Sequence, residues 1–328
     1  MGSYIIRRFF YMIPTLLVIS IIAFVVIQLP PGDFLTTYIT RLEAQGTRVT
    51  ESRVEALEKR YGLNQPLFKR YFKWIGGIIF RGDFGMSFYY SRPVRDILLE
   101  RIPYTVLLSG FSLLFTWLIS LPIGIYSAVK QYSLFDYFFT FSAFIGRSIP
   151  NFLLALVLMY LCYTLFGWSI GGLFSQKYAY SSWSLPKVFD LLKHLVVPII
   201  VIGTARTAGL VRTLRATTLD ELGKDYVKTA RSKGLRETWV VVKHIVPIAM
   251  NPLFSTIGWI LPGLIGGAMI SAIVLSLPTT GPVMYTALLN QDMYLAGSFL
   301  LIISALTVFG TLVSDIILAV SDPRIRYE

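Results

Sequence analysis

DYVKTARSKGLRETWVVVKHIVP, Asp225 to Pro247, decides how the rest of this chain is read. It is a polar, basic segment between two long apolar runs, the pattern of a cytoplasmic loop joining two membrane helices. Its chemistry predicts a short capped helix. Asp225 is placed to act as N-cap, complementing the positive end of the helix dipole. Lys228, Arg231 and Lys233 gather toward the other end, where cations are favoured, and Gly234 suits the left-handed residue that closes a helix. Tyr226 and Ala230 share one face at i, i+4 spacing. Two turns are too short to be stable alone, so the helix needs a surface to dock on. That surface belongs either to another protein or to lipid headgroups attracting the basic residues.

Outside this loop the composition is that of a membrane protein. The chain has 328 residues, 55% hydrophobic and 15% charged, more apolar material than one soluble core can hide. The net charge of +12 is explained by basic loops, since no soluble module interleaves aromatic with basic residues as a nucleic-acid site does. The one cysteine, Cys162, sits in an apolar run. His194 and His244 are far apart and without a Cys or acidic cluster near them, which argues against a metal site. Arg7 and Arg8 followed by an apolar run resemble a signal peptide, but the run reaches Leu29 and ends in Pro-Pro-Gly-Asp, so an uncleaved first helix is expected.

In chain order, residues 1–30 form the N-terminal segment and first span, Phe9 to Leu29. Residues 31–101 form a folded external segment, with helical spacing over Ser52 to Tyr61 and many aromatics. Residues 102–328 form a five-helix core. Its spans are expected within Ile102 to Val129, from Phe135 to Phe166 with interruptions at Arg147 and Pro150, from His194 to Val211, from Asn251 to Leu277 and from Leu295 to Val320. Gly167 to Lys193 reads as a polar, turn-rich connection. Six spans put both termini on one side. With the termini inside, cytoplasmic pieces hold 13 Lys and Arg against three in the two shorter external loops. The long first loop holds 12, but long loops translocate largely regardless of charge.

The 212–250 region resembles the EAA loop of ABC importer permeases, in which a coupling helix engages an ATPase subunit. On that resemblance Asp225 and Tyr226 lie on the coupling helix, Thr229 and Ala230 stand for the two alanines, Gly234 for the glycine, and Val246 with Pro247 for a Leu-Pro pair. Lys228 stands where a Glu is usual and His244 where an Ile is. Three further stretches extend the likeness over nearly the whole chain. YGLNQPLFKRYFKWIGGIIFRGDFGMSF (Tyr61 to Phe88) with RPVRDILLERIPYTVLL, SIPNF (Ser148 to Phe152), and Asp315 followed by DPRIRY (Asp322 to Tyr327) resemble the DppB/OppB-type permeases of peptide and nickel importers. The resemblance implies an all-α membrane protein of the type I importer fold, with six helices, both termini cytoplasmic and a large external segment between helices 1 and 2. Implied partners are a second, related permease chain, two ATPase subunits carrying ATP and Mg, and an extracytoplasmic solute-binding protein, in a prokaryotic cell membrane. The implied substrate is a peptide or an oligosaccharide, with nickel as a further alternative. PPGDF replaces a common Gly-Asp-Pro after the first helix, and Ala272 replaces a common Glu.

Within the spans, Arg147 and Arg206 are candidates for the pathway, because a charge inside the bilayer is costly. Snorkelling to the interface is the alternative for both, Arg206 above all. Pro150 and Asn151 join the list through SIPNF, and Asp315 reads as an inner-end packing or ion-pair residue. Gly263, Gly267 and Ser271 form a small-xxx-small stripe that suits a close helix interface or ordinary packing. Pro14, Pro122, Pro150, Pro198 and Pro262 read as shape rather than chemistry. No phosphate-binding loop is present, since the only Gly-Lys pair, Gly223-Lys224, is followed by Asp225. A transport subunit without catalytic residues is therefore expected, with no cofactor of its own. An ion-coupled secondary transporter is the alternative, weakened by the lack of internal repeats and of several intramembrane acids.

Overall fold

A computed structural model describes residues 2–28, 65–257 and 268–321. It is almost wholly helical. Among the described residues, four helices are long and apolar enough to cross a bilayer: Ile6–Val26 within α1 (Gly2–Gln28), α3 (Val94–Val129), α7 (Leu185–Leu222) and Met293–Val320 within α14 (Met293–Ser321). A bent pair, α4 (Leu134–Ser148) and α5 (Asn151–Phe166), makes a fifth candidate. Between them lie α2 (Leu67–Arg81), a two-stranded antiparallel hairpin β1 (Met86–Ser87) and β2 (Arg92–Pro93), and α6 (Gln176–Ala179). The loop region holds α8 (Asp225–Ser232), α9 (Glu237–Val240), a π turn (Val241–Ile245) and α10 (Val246–Ala249). α11 (Asn251–Thr256), α12 (Met269–Val274) and α13 (Thr280–Leu289) complete the order.

Three expected spans change shape. The run from Phe135 to Phe166 is two helices meeting at 101°. Pro150 is the cause: it drives Ile149 to extended φ and ψ of −81° and 123°, and α5 restarts behind the proline's fixed φ. The span expected from His194 to Val211 is longer at both ends, because Pro186 opens a helix rather than a turn and the basic end beyond Val211 continues it. Lys187, buried near that opening, donates to the Ser181 carbonyl and lies 4.9 Å from the Phe174 ring centre. The second span begins at Val94, eight residues before the uncharged run. Of the expected fifth span, residues 258–267, with Pro262, Gly263 and Gly267, lie outside the described residues, as do Ser52–Tyr61 and Asp322–Tyr327.

The chain divides into two compact units. One comprises Met1–Phe9, Thr105–Pro278 and Phe309–Glu328. Within it α4 runs antiparallel to α7, tied by a two-pronged ion pair in which Arg215 Nε and Nη2 donate to Asp136 Oδ1 and Oδ2 at 2.9 Å each. Asp136 is buried, and its Oδ2 also accepts from the Tyr132 N–H at 3.0 Å. Ser133 caps α4 by accepting from the Asp136 N–H. α3 turns a row of small polar residues inward, Ser109, Ser112, Thr116, Ser120 and Ser127, all buried. Gly124 on this helix lets α7 approach so closely that a Cβ there would stand 2.6 Å from Leu214 Cβ. Arg8 and Asp315 pair at 3.1 Å, so of the two roles expected for Asp315, packing or ion pairing, it takes the second.

The other unit comprises Phe10–Tyr104 and Thr279–Val308. Its core is an apolar cluster of Val94, Ile97, Leu98, Val283, Ala287, Leu295 and Phe299. Asp292, fully buried at the start of α14, accepts from Ser87 Oγ at 2.6 Å, the Tyr89 N–H at 3.0 Å and the Leu295 N–H at 3.2 Å. One carboxylate thus caps a helix and pins the hairpin. Burial pushes its pKa up, and those hydrogen bonds oppose the shift.

Candidate functional site: the loop helix and its seat

α8 spans Asp225–Ser232, as its capping chemistry predicts, with one correction at its start. The N-cap is Lys224, in an extended conformation with no side-chain cap bond; Asp225 is the first helical residue. Asp225 pairs with Lys228 at 2.9 Å on an open surface, and this hydrogen bond holds its carboxyl below the usual range. An acid in the first turn still meets the positive end of the helix dipole, although the side-chain cap is missing.

The other end follows the expectation closely. Gly234 adopts φ +76°, its N–H reaches the Arg231 carbonyl at 2.9 Å, and the Leu235 N–H reaches the Ala230 carbonyl at 3.4 Å. These are the two bonds of a Schellman motif, which needs a residue at ease in the left-handed region. Arg231 then clasps Glu237 across the turn, its Nε 3.0 Å from Oε2. That contact holds the Glu237 carboxyl below its ordinary value.

The surface that α8 docks on is the chain's own. Val227 and Ala230, at i, i+3, are buried against Val240, Val241, Ile245 and Ala249, with Ile125, Val129, Leu222 and Val246 packed around them. The ends of α3 and α7 and the segment after α8 therefore share one small core. Tyr226 is on the outer side, its hydroxyl donating to Glu221, so it does not share the burial of Ala230. Pro247 explains the π turn before it: without an N–H and with a ring in the way of the carbonyl four residues back, it widens the preceding turn. Asp225, Tyr226, Lys228, Thr229 and Arg231 form the exposed face. Beside them Leu235, Trp239 and Val242 are exposed and apolar, with Lys243 Nζ 5.0 Å from the Trp239 ring centre. Sequence reasoning missed these three, although Trp239 and Val242 stand at i, i+3 in the same loop.

The pathway candidates are scattered. Arg147, exposed at the end of α4, lines a cavity of about 280 Å³ with Asp136, Phe144, Val211, Arg212 and Arg215. Pro150 and Asn151 form the α4–α5 bend, where the Pro150 carbonyl accepts from the Leu153 and Leu154 N–H groups at 3.0 Å each. Arg206 is half-buried on α7 and lines neither cavity beside α4. Ser271 is buried in α12. Asp136 was also missed, although Ser133-x-x-Asp136 before an apolar run is a helix-start pattern. No cluster of three potential metal ligands occurs among the described residues.

Comparison with known proteins assigns the chain to a family. Residues 120–327 match the family described as "Binding-protein-dependent transport system inner membrane component", and residues 1–109 match "Binding-prot-dependent transport system membrane comp, N-term". The oligopeptide transport system permease protein AppB of Bacillus subtilis (strain 168) is 36% identical, with all of both chains covered. The dipeptide transport system permease protein DppB of Alkalihalophilus pseudofirmus is 30% identical, again over all of both chains. So is the glutathione transport system permease protein GsiC of Escherichia coli (strain K12), at 30% with full coverage of both. These likenesses lend nothing to the ion-coupled alternative. With several apolar helices and a family match over nearly its whole length, the chain belongs to the binding-protein-dependent permeases of ABC transport systems, multi-pass proteins of the inner membrane.

Proposed function

We propose that this permease forms one half of the translocation pathway of an ATP-driven importer of peptides, with α8 as the helix that receives the ATPase stroke. The observation that carries the reading is the construction of α8. Its apolar side is fixed in a core shared with the ends of α3 and α7, while Asp225, Tyr226 and Thr229 face outward beside the exposed Leu235, Trp239 and Val242. A push on the outer face therefore loads two long helices at once. Ala230, Gly234, Val246 and Pro247 serve by shape: a docked small residue, the turn, and the π-widened restart. ATP and Mg²⁺ are held by two partner ATPase subunits, and a second permease chain completes the pathway. A solute-binding protein delivers substrate to the opposite face.

Six crossings with both termini in the cytoplasm are part of this reading. The Arg8–Asp315 pair supports it, because it brings the start of the first helix to the end of the last, as an even number of crossings requires. The surplus of Lys and Arg near these ends and in the loop supports the inward side. Peptides are favoured as substrates by the names of the relatives.

The test is ATP-dependent uptake in proteoliposomes of the complete complex with its binding protein, comparing labelled peptides with oligosaccharides and nickel, with and without Gly234→Leu. Peptide uptake that collapses in the assembled variant supports both halves of the proposal. Uptake of another class alone would remove the peptide assignment. Uptake without ATP, or insensitive to the variant in an intact complex, would remove the coupling role.

A further inference from the structure

α2 has three faces, each suited to a different medium. It is 15 residues long, or about 22 Å, too short to cross ~30 Å of hydrocarbon. One face seats it on α1: Tyr71 hydroxyl and Ser20 Oγ are 2.7 Å apart, and the Phe24 ring centre lies 5.5 Å from Tyr71 and 5.8 Å from Trp74. A second face carries Phe68, Phe72 and Ile79, at i, i+4 and i+11, all well exposed. The third carries Lys69, Arg70, Lys73 and Arg81, with no acidic residue in the helix. None of these four cations makes an ion pair among the described residues.

A cavity lies on each side of this helix. Between α1 and α2 an almost wholly apolar groove of about 330 Å³ is lined by Ile21, Phe24, Val25, Phe68, Tyr71 and Phe72. Ile21 and Val25 are exposed on the candidate span Ile6–Val26, so the groove is continuous with surface that meets lipid tails. On the basic side a polar cavity of about 250 Å³ is lined by Arg70, Lys73 and Arg81, with Trp74, Asp83 and Tyr294. Asp83 is the one acid there, and its Oδ1 accepts from the Gly85 N–H at 2.9 Å. An apolar groove on one side of a helix, and on the other a cluster of cations without an ion-pair partner among the described residues, are the complements of lipid tails and of an anionic headgroup.

We infer that α2 is an in-plane interfacial helix that holds an anionic phospholipid against the permease, at the membrane face reached by the C-terminal end of α1. The phosphate sits with Arg70, Lys73 and Arg81, while the α1–α2 groove on the opposite side of the helix lies among acyl chains. The bilayer answers both unpartnered faces together. An acidic patch on a soluble partner would satisfy the cations but leave Phe68, Phe72 and Ile79 in water. The inference is independent of which solute the permease carries.

The test uses the full chain in nanodiscs of phosphatidylcholine mixed with phosphatidylglycerol. In a Cys162→Ser background, a nitroxide placed through Phe72→Cys is expected to relax with oxygen and not with a water-soluble nickel chelate. One placed through Lys73→Cys is expected to do the reverse. Native mass spectrometry is expected to show phosphatidylglycerol retained over phosphatidylcholine, with that preference reduced about 10- to 100-fold in Arg70→Gln/Lys73→Gln/Arg81→Gln. Equal access of nickel to both labels would put the helix in water and overturn the inference. Shielding of Phe72→Cys from both reagents would overturn it in favour of a protein cover, from this chain or another. An unchanged lipid preference in the triple variant would remove the headgroup assignment.

Discussion

Arg215→Ala is expected to destabilise the first unit by about 2–3 kcal/mol. Breaking a buried ion pair from one side costs roughly 3–5 kcal/mol, because the remaining charge is stranded. Here the Asp136 side chain is 4% exposed and the Arg215 side chain 26%, so water screens one partner but barely reaches the other. After truncation, Asp136 keeps the Tyr132 N–H at 3.0 Å and a weak bond from Thr140 at 3.4 Å, which lowers the cost below the upper end of that range. The assay is reversible unfolding in mixed micelles of the wild type, Arg215→Ala, Asp136→Ala and the double variant. The double variant should lose less than the two singles together, leaving a coupling of about 1.5–3 kcal/mol. Arg215→Lys should recover only part of the loss, since an ammonium cannot make both parallel bonds. Additive single effects, or a loss from Arg215→Ala below about 0.5 kcal/mol, would refute the assignment of this pair as the tie between α4 and α7.

Asp292→Ala strands Ser87 Oγ and the Tyr89 and Leu295 N–H groups, and should cost about 2–4 kcal/mol, read as faster amide exchange over residues 86–90; Asp292→Asn, which keeps an acceptor, should cost less. Because Arg231 depresses the Glu237 carboxyl, the clasp is present at neutral pH and is lost as pH falls from the ordinary glutamate value of ~4.3 through the lower folded value. Exchange at Lys233–Thr238, corrected for intrinsic rate, should therefore be flat from pH 8 to 5.5, at which Glu237 stays ionised, and rise below about pH 4; in Glu237→Gln the extra rise should vanish. Gly124→Leu places atoms where Leu214 Cβ stands 2.6 Å from the new Cβ and the Val211 carbonyl 3.1 Å, so α3 and α7 must separate; a loss of about 1–3 kcal/mol is expected in the same unfolding assay, and a neutral effect would contradict the close approach.

Local chemistry was legible in this sequence where the deciding partners are near in the chain. The body of α8 and the left-handed Gly234 were readable because a helix end is settled within a few residues. Asp225 was misplaced by one position because first-turn acids and N-cap acids both suit the dipole, and only backbone angles separate them. The α4–α5 break was half legible: Pro150 was visible, but an apolar run of span length hides whether a proline tilts a helix or splits it. Charges concealed the C-terminal end of α7, although Val211, Leu214 and Thr218 keep a buried helical row through it. Asp292 was illegible, since its partner Ser87 is 205 residues away. The direction of α2's basic face was equally hidden until α1 fixed which side faces inward.

Pro198 divides α7 into two unequal arms. As one helix of 38 residues it measures about 57 Å, and Pro198 withholds the N–H that the His194 carbonyl would otherwise bond, leaving a weak joint about 20 Å from Leu185 and about 36 Å from Leu222. Such a joint bends more readily than the arms on either side of it, so a sideways load on the longer arm is taken up at Pro198 in preference to the shorter arm. Pro198→Ala restores the missing bond and is expected to make the two arms bend as one rod.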